Sequence, residues 1–245
     1  MRAGEWRDAL RRLPMGGLDD LVGDAPFLVL APHPDDETLG CGGLLAMATE
    51  RGVAAHVVIL TDGAASHPAS RVFPPSRLAA LRRDEARAAV ARLGLPADRL
   101  TFLDLPDAAA PTTGRAFDDA VAAIDATARR VGAKSLFVTS ELDPHCDHEA
   151  AHAMARAALA RLAVRLWAYP VWSLHLDPDV AVSGAPPRGI RLDIGAQRDA
   201  KQAALRCYAS QMTPLIDDDP EGFVFTAEQL APFLDDFETF IEMRR

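Results

Sequence analysis

The sequence FLVLAPHPDDET, residues 27–38, joins an apolar run to a row of polar and acidic residues. Residues 27–31 are all apolar and lie between two prolines, which predicts a strand buried on both faces, as in a parallel sheet. The polar residues that follow are His33, Asp35, Asp36 and Glu37. Ligands of open α/β sheets bind at the carboxyl ends of the strands. A histidine with several carboxylates at that place favours a metal ion, with one carboxylate left for acid–base chemistry.

A second polar cluster, DPHCDHEAAH at residues 143–152, follows a largely apolar run at residues 135–139. It contains three of the seven histidines of the chain. One such cluster alone is equally compatible with a helix cap on a solvated surface. Two clusters at the carboxyl ends of two parallel strands can surround one point, so the pair indicates a shared metal site.

Short apolar runs of strand length alternate along the chain with longer segments of helical spacing. The alternation predicts an α/β fold, a Rossmann-like three-layer sandwich around a mostly parallel sheet. We expect one domain over residues 1–245, since α/β domains commonly reach this size undivided. Residues 1–25 are expected to form an N-terminal helix and linker. Residues 226–245 are expected to form a C-terminal docked helix, because their Leu and Phe residues recur at roughly helical spacing.

The two clusters resemble the motifs of the LmbE-like (PIG-L type) metal-dependent N-deacetylases. The first cluster matches the family pattern Ala-x-His-Pro-Asp-Asp-Glu in full, and the resemblance extends from about residue 27 to residue 211. The second matches His-x-Asp-His at its three defining positions, whereas Cys146 stands where the family usually has proline. The resemblance implies a hydrolase with the LmbE-like deacetylase fold.

The resemblance also implies a role for each matching residue. The implied metal ligands are His33, Asp36 and His148, which would bind zinc, although two imidazoles and a carboxylate also suit ferrous iron. Asp35 would be the base for the attacking water. The implied neighbours are His145 for the oxyanion, Asp147 for orientation, Arg82 of an Arg-x-x-Glu motif for substrate contact, and Asp107 for sugar hydroxyls or, equally well, for a turn.

The implied reaction is removal of an acetyl or other acyl group from the amide nitrogen of an N-acetylglucosamine-type conjugate, a hydrolysis of a linear C–N bond. The expected partner is therefore a small amino-sugar conjugate. Two loops, residues 64–75 and residues 172–187, are expected to decide which conjugate it is, because loops over a site commonly set specificity.

Two other hypotheses come from the same residues. His148-Glu149-Ala150-Ala151-His152 satisfies His-Glu-x-x-His, the helical zinc signature of metallopeptidases. That hypothesis leaves the cluster around His33 unexplained. A protein that binds a sugar or a metal without turnover is the second alternative, but such a protein would have no need for the unligated Asp35.

The composition of the chain limits which partners and which cellular location are expected. The net charge of −9 argues against a polyanion such as nucleic acid as the principal partner. The sequence has no run of eighteen apolar residues, so no membrane span is expected, and its first residues lack the apolar core of a signal peptide. Three cysteines at unrelated spacings predict no disulfide framework, which makes the cytoplasm the expected location. The sequence leaves open whether the chain forms a homo-oligomer.

Overall fold

The computed structural model describes residues 1–243, and the strands in this range form one eight-stranded sheet. The sheet order is β1-β7-β8-β6-β5-β2-β3-β4. The strands are β1 (Met15–Gly16), β2 (Phe27–Ala31), β3 (Ala55–Thr61), β4 (Leu100–Leu105), β5 (Ser135–Thr139), β6 (Arg165–Tyr169), β7 (Gly189–Asp193) and β8 (Phe237–Met243).

The helices of the same range alternate with these strands. They are α1 (Ala3–Arg11), α2 (Leu18–Leu21), α3 (Asp36–Glu50), α4 (Pro75–Arg92), α5 (Gly114–Val131), α6 (Cys146–Leu159), α7 (Arg198–Leu205), α8 (Ala209–Met212) and α9 (Ala227–Leu230). None of these helices is both long and apolar enough to cross a membrane.

The predicted α/β sandwich is confirmed. Strands β6, β5, β2, β3 and β4 run parallel, and β8 is antiparallel to both of its neighbours. All five residues of β2 are buried, as expected for a central parallel strand. Phe27 and Val29 face a core that includes residues of α3 and α4, whereas Leu28 and Leu30 face a core formed with α5 and α6. Helices therefore cover both faces of the sheet.

The prediction for the C-terminal segment, residues 226–245, is wrong. The structure has one helical turn at α9, a 3₁₀ turn over Ala231–Phe233, and then strand β8 between β6 and β7. Pro232 cannot continue the helix. In β8 the side chains of Glu238 and Phe240 are buried and their neighbours are less so, which is the period of a strand. Residues 244 and 245 lie outside the described residues.

The N-terminal prediction, residues 1–25, holds for the helix, which is α1. The expected linker contains secondary structure of its own, because β1 pairs in parallel with β7 and is followed by the single turn of α2. Trp6 and Leu10 of α1 are buried in a small separate cluster with Val182. The N-terminal segment thus extends the sheet by one short strand.

Glu238 explains why β8 lies next to α3. One carboxylate oxygen of Glu238 accepts hydrogen bonds from Gly43 N at 2.6 Å and from Lys201 Nζ at 2.8 Å, and the other accepts from Leu44 N at 2.8 Å. Lys201 is 2% exposed and Glu238 is 3% exposed. The buried ion pair joins β8 to α7, and the two backbone hydrogen bonds join β8 to α3, the helix that begins at Asp36.

Replacing Glu238 by leucine should destabilise the fold strongly. The change leaves Lys201 buried without its charge partner, and breaking a buried pair on one side costs about 3–5 kcal/mol. Urea unfolding followed by circular dichroism measures the loss. The matched change Glu242→Leu, at an exposed position near the end of the same strand, should alter the free energy of unfolding by less than about 0.5 kcal/mol. Equal losses in the two variants would contradict the assigned role of the pair.

His56 of β3 makes stability depend on pH. Its ring is buried, Nε2 lies 2.9 Å from Thr101 Oγ1, and burial lowers the pKa of His56 to about 4. An unfolded chain binds this proton near pH 6.5, so the free energy of unfolding falls as pH drops from 6.5 towards 4. Between pH 7.5 and 5.5 the wild type should therefore lose up to about 1 kcal/mol more than His56→Gln, measured by urea unfolding at both pH values. Identical losses would show that His56 does not contribute.

Candidate metal and catalytic site

The two polar clusters meet at the carboxyl edge of the sheet. Strands β2 and β5 are parallel neighbours, so the loops that follow them leave the sheet side by side. The His33 ring centroid lies 4.6 Å from that of His145 and 5.3 Å from that of His148. The proximity predicted from the two motifs is therefore present in the fold.

Asp36 lies between the two predicted histidine ligands. Its Oδ2 is 3.2 Å from His33 Nδ1 and 3.3 Å from His148 Nε2. Ligand atoms bound tetrahedrally at the usual zinc distances lie about 3.3 Å apart. His148 Nε2 is buried and has no hydrogen-bond partner among the described residues, and such an orphaned atom in a native site requires an explanation. The donor set of two imidazoles and a carboxylate fits zinc or ferrous iron.

His145 forms a second grouping with the same histidines. Ligand atoms of His33, His145 and His148 all lie within 4.8 Å of one another. His145 is only partly buried and borders a cavity, whereas Asp36 is 2% exposed and bridges the other two side chains. His145 Nδ1 accepts a hydrogen bond from Asp147 N at 3.2 Å, which leaves Nε2 to carry the ring proton. Desolvation, with the nearby His33 and His148, lowers the pKa of His145, so its ring is neutral near pH 7.

Asp143 orients His148, a role that the sequence did not reveal. His148 Nδ1 lies 2.9 Å from Asp143 Oδ2. Asp143 Oδ1 in turn accepts from Ser173 N at 2.8 Å and from Ser173 Oγ at 2.5 Å. A carboxylate that holds one ring nitrogen protonated leaves the other with a free lone pair, which is the usual support of a metal-binding histidine. The only signal in the sequence was the position of Asp143 at the start of the second cluster.

Asp147 and Asp107 orient the other histidine. His33 Nε2 lies 3.0 Å from Asp147 Oδ2 and 3.2 Å from Asp107 Oδ1. Asp147 also accepts from Ala108 N at 2.7 Å and from Ala110 N at 2.9 Å. The hydrogen bonds to His33 keep the pKa values of both carboxyls below their usual range, although burial opposes this. Asp147 thus supports His33, and Asp107 is held by the same ring.

Asp35 occupies a strained position at the start of α3. Its φ is 137°, a region that residues other than glycine rarely adopt, and such strain occurs mainly at functional sites. The side chain is 5% exposed, and Oδ2 accepts a hydrogen bond from Arg82 Nη2 at 3.0 Å. Burial raises the pKa of Asp35 to about 8, and the guanidinium of Arg82 opposes the rise.

Arg82 holds the loop of the first motif. Its Nη1 donates to Gly63 O at 3.0 Å and its Nη2 donates to Pro34 O at 2.8 Å, in addition to Asp35. The side chain is 3% exposed. Arg82 borders the same cavity as Asp35, but its terminal nitrogens already have protein partners. Arg82 therefore holds the carboxylate of Asp35 in place.

Glu37 is buried behind the site. Its carboxylate accepts hydrogen bonds from Asp35 N at 3.2 Å, from Thr38 Oγ1 at 2.5 Å and from the hydroxyl of Tyr208. Burial raises the pKa of Glu37, and the hydrogen bonds from Thr38 and Tyr208 counter the rise. Glu37 therefore fixes the backbone at Asp35.

A cavity of about 580 Å³ opens above these residues. Asp35, Asp36, His33 and His145 form one side of the cavity, and Asp107 and Arg82 also border it. The two loops predicted to set specificity both contribute, and a third stretch, which the sequence did not suggest, completes the lining. The remaining lining residues are Ala65, Ser66, Pro68, Ala108, Pro144, Trp172, His175, Leu176, Gln211, Glu221, Phe223 and Phe225.

The geometry gives no support to the metallopeptidase hypothesis. Glu149, which would be its base, is exposed to solvent. His152 Nδ1 lies 3.2 Å from Thr139 O, and His152 joins none of the metal-type clusters among residues 1–243. Cys146, the residue between His145 and Asp147, is exposed. Slight desolvation of its sulfur and the charge of Asp147 raise the pKa of this thiol, so Cys146 stays protonated near pH 7.

A mostly parallel α/β sheet with a His/Asp centre at the floor of a cavity is typical of metal-dependent enzymes that act on small molecules. Comparison with known families agrees with this class, because residues 28–159 match the PIG-L family, described as GlcNAc-PI de-N-acetylase. The matched range includes both polar clusters and more than half of the chain. The chain belongs to the PIG-L family, as its motifs predicted, and is an enzyme.

Known relatives catalyse two kinds of reaction. A 4-oxalmesaconate hydratase from Pseudomonas putida is 28% identical over 203 residues, which are 75% of this chain and 73% of the hydratase. The N,N'-diacetylchitobiose deacetylase from Pyrococcus horikoshii has a TM-score of 0.68 and 21% identity, covering 97% of this chain and 90% of its own. A deacetylase of the teicoplanin biosynthesis pathway has a TM-score of 0.62 and 21% identity, covering 89% and 97%. The two structures share the fold of this chain.

Proposed function

We propose that this protein hydrolyses the amide of an N-acetylated amino-sugar conjugate and releases acetate and the free amine. The observation that carries the proposal is Asp35, a carboxylate that borders the cavity beside the His33–Asp36–His148 cluster and bonds to neither histidine. A metal-binding protein without turnover would have no use for such a group. The deacetylases among the structural relatives support the same reaction.

His33, Asp36 and His148 would hold the metal, with zinc as our first choice and ferrous iron as the second. When bound, the metal would polarise the acyl carbonyl and lower the pKa of a water. Asp143, Asp147 and Asp107 would keep the two histidine rings oriented.

The side chains of the cavity can move the protons that the reaction requires. Asp35, in its ionised form, would accept a proton from the attacking water as the C–O bond forms. The Nε2–H of His145 would donate a hydrogen bond to the carbonyl oxygen as negative charge develops there. When the C–N bond breaks, Asp35 would deliver its proton to the departing nitrogen. Arg82 would keep Asp35 in place throughout, since its guanidinium bonds both the carboxylate and Pro34 O.

Hydration of a carboxylate substrate is the second candidate, because one relative is a 4-oxalmesaconate hydratase. Such a substrate is an anion and, apart from the metal ion, would need a side-chain cation in the cavity. Arg82 is the only arginine or lysine in the lining formed by described residues, and its terminal nitrogens are occupied by Asp35, Gly63 and Pro34. Deacetylation of a substrate without such charges is therefore favoured.

Acetate release from N-acetylglucosamine conjugates tests the proposal. We expect the metal-loaded protein to release acetate. A chelator should stop the release and added zinc or ferrous iron should restore it, because the ion held by two imidazoles and a carboxylate activates the water. Free acetate is measured by an enzyme-coupled assay or by NMR.

The same protein offered 4-oxalmesaconate provides the comparison. Loss of the unsaturated acid's absorbance without any acetate release from the amides would replace our proposal with hydration. Cleavage of peptides, with neither of the other reactions, would revive the His148-Glu149-x-x-His152 hypothesis.

A further inference from the structure

Three aromatic side chains form one side of the cavity, and we call Trp172, Phe223 and Phe225 the aromatic wall. The rings of Trp172 and Phe225 are parallel, with centroids 5.6 Å apart and an interplanar angle of 4°. Phe223 stands nearly perpendicular to both, at 79° to Trp172 and 81° to Phe225. Phe225 is buried, whereas Trp172 and Phe223 are partly exposed. The wall therefore presents ring surface to the cavity.

The wall is held rigidly by backbone contacts from two sides. Phe225 N donates to Gln211 O at 2.8 Å, and Phe223 N donates to Ser66 O at 2.8 Å. Ser173, next to Trp172, is bonded to Asp143, which also orients His148. A preformed aromatic surface beside a reactive centre is typical of a ligand-binding subsite, since the ordering cost is already met before binding.

The charged residues of the cavity also indicate which substrates it favours. Four carboxylates line it, and one of them, Glu221, is solvent-exposed and takes part in no ion pair among residues 1–243. The single guanidinium in the lining, that of Arg82, is 3% exposed and already paired. His175, which also lines the cavity, has a pKa lowered first by burial and is neutral near pH 7. Apart from the proposed metal ion, the described lining offers a phosphate or carboxylate no unpaired cation, and beside Phe223 such a group would face Glu221.

We propose that the substrate is an uncharged or cationic N-acyl compound with an aromatic group on the side of the molecule away from the acyl group. This aromatic group packs on Trp172 and Phe223, and an anionic group at the same place is disfavoured by Glu221, the lining carboxylate without an ion pair among residues 1–243. The inference rests on the proposed deacetylation and names the substrate class of the same site. Trp172, Phe223 and Glu221 are its specificity-determining residues.

Three N-acetylglucosamine derivatives separate the possibilities: the methyl glycoside, the phenyl glycoside and the 1-phosphate. All three have the same amide and differ only in the group that would reach the wall. We expect kcat/KM for acetate release to be about tenfold higher for phenyl than for methyl, and lowest for the phosphate, because stacking on an aromatic face stabilises only the phenyl compound. Equal values for the three would overturn the inference while leaving deacetylation intact.

Variants show whether the named residues cause the preference. Trp172→Ala should remove the phenyl advantage mainly through KM, and Trp172→Phe should restore part of it. Glu221→Gln should raise kcat/KM for the phosphate relative to phenyl several-fold, whereas Asp217→Asn, an equal loss of charge on an exposed residue outside the lining, should not change that ratio. A Trp172→Ala variant that lowers kcat/KM for methyl and phenyl equally would show a structural role only, and the assignment would be wrong.

Binding separates failure of the inference from failure of the proposed function. Isothermal titration of the metal-loaded Asp35→Asn variant, which is expected to keep its metal without turning over substrate, with the phenyl glycoside and with the phosphate measures the preference by binding alone. If no derivative releases acetate, the proposed function fails, and the titrations still decide the substrate class. Tighter binding of the phenyl compound, lost in Trp172→Ala, would support the inference, and equal or tighter binding of the phosphate would overturn it.

Discussion

The His148→Ala variant is expected to lose both its metal and its turnover. His148 Nε2 is buried and makes no hydrogen bond of good geometry, and its close polar neighbour is Asp36 Oδ2 at 3.3 Å, a spacing that suits two ligands of one ion. Removing one of three protein ligands leaves a site with two, which is too few for a closed or catalytic zinc site. Metal per chain after dialysis, measured by mass spectrometry, should fall from near one to near zero, with kcat/KM reduced by at least about 10³.

Two matched variants identify the ligand set. His152→Ala removes the other histidine of the same helix, one turn further on, and should keep full metal because His152 joins no metal-type cluster among the described residues. His145→Ala should also keep the metal, and lose turnover, if the ligands are His33, Asp36 and His148. Loss of metal in His145→Ala with retention in Asp36→Ala would instead assign the three-histidine grouping, and full metal in His148→Ala would refute our assignment.

The position of the site was predictable from the sequence for a simple physical reason. Residues 27–31 and residues 135–139 are short runs, apolar or largely so, and each is followed within six residues by His and Asp. Strands of that kind become buried and parallel, and their carboxyl ends must then lie on one edge of the sheet. The strands proved to be direct neighbours, so the two motifs were brought together. The family resemblance supplied the expected role of each residue.

The supporting contacts were not predictable, because they join residues that no local pattern links. Asp143 and Ser173 lie thirty positions apart, and Asp147 bonds to His33 across 114 positions. The aromatic wall is similar, since Phe223 and Phe225 reach the cavity from a stretch with no strand or helix of its own. The prediction of a C-terminal helix failed for a different reason. The apolar spacing of residues 226–245 fits a helix loosely, but a proline interrupts it and the chain after the proline pairs as a strand between β6 and β7.

The Asp35→Asn variant is expected to keep its metal and lose turnover. Asp35 borders the cavity and bonds to Arg82, whereas the carboxylate that contacts both histidines belongs to Asp36. Asparagine preserves the size of the side chain and an oxygen for Arg82, but it cannot accept the proton of the attacking water. Removal of a general base typically costs about 10²–10⁴ in rate, and we expect kcat to fall within this range while metal per chain stays near one.

Glu37→Gln is the matched control for the base. Glu37 is the other carboxylate of the same motif that does not bond to a histidine, and it is completely buried behind the site, where it bonds to Tyr208 and Thr38. We expect its loss to lower the melting temperature while kcat stays within about tenfold of the wild type, because a buried hydrogen bond is removed and no reacting group is changed. If kcat instead collapsed in Glu37→Gln and survived in Asp35→Asn, the two carboxylates of the motif would exchange roles and the strained backbone at Asp35 would need another explanation.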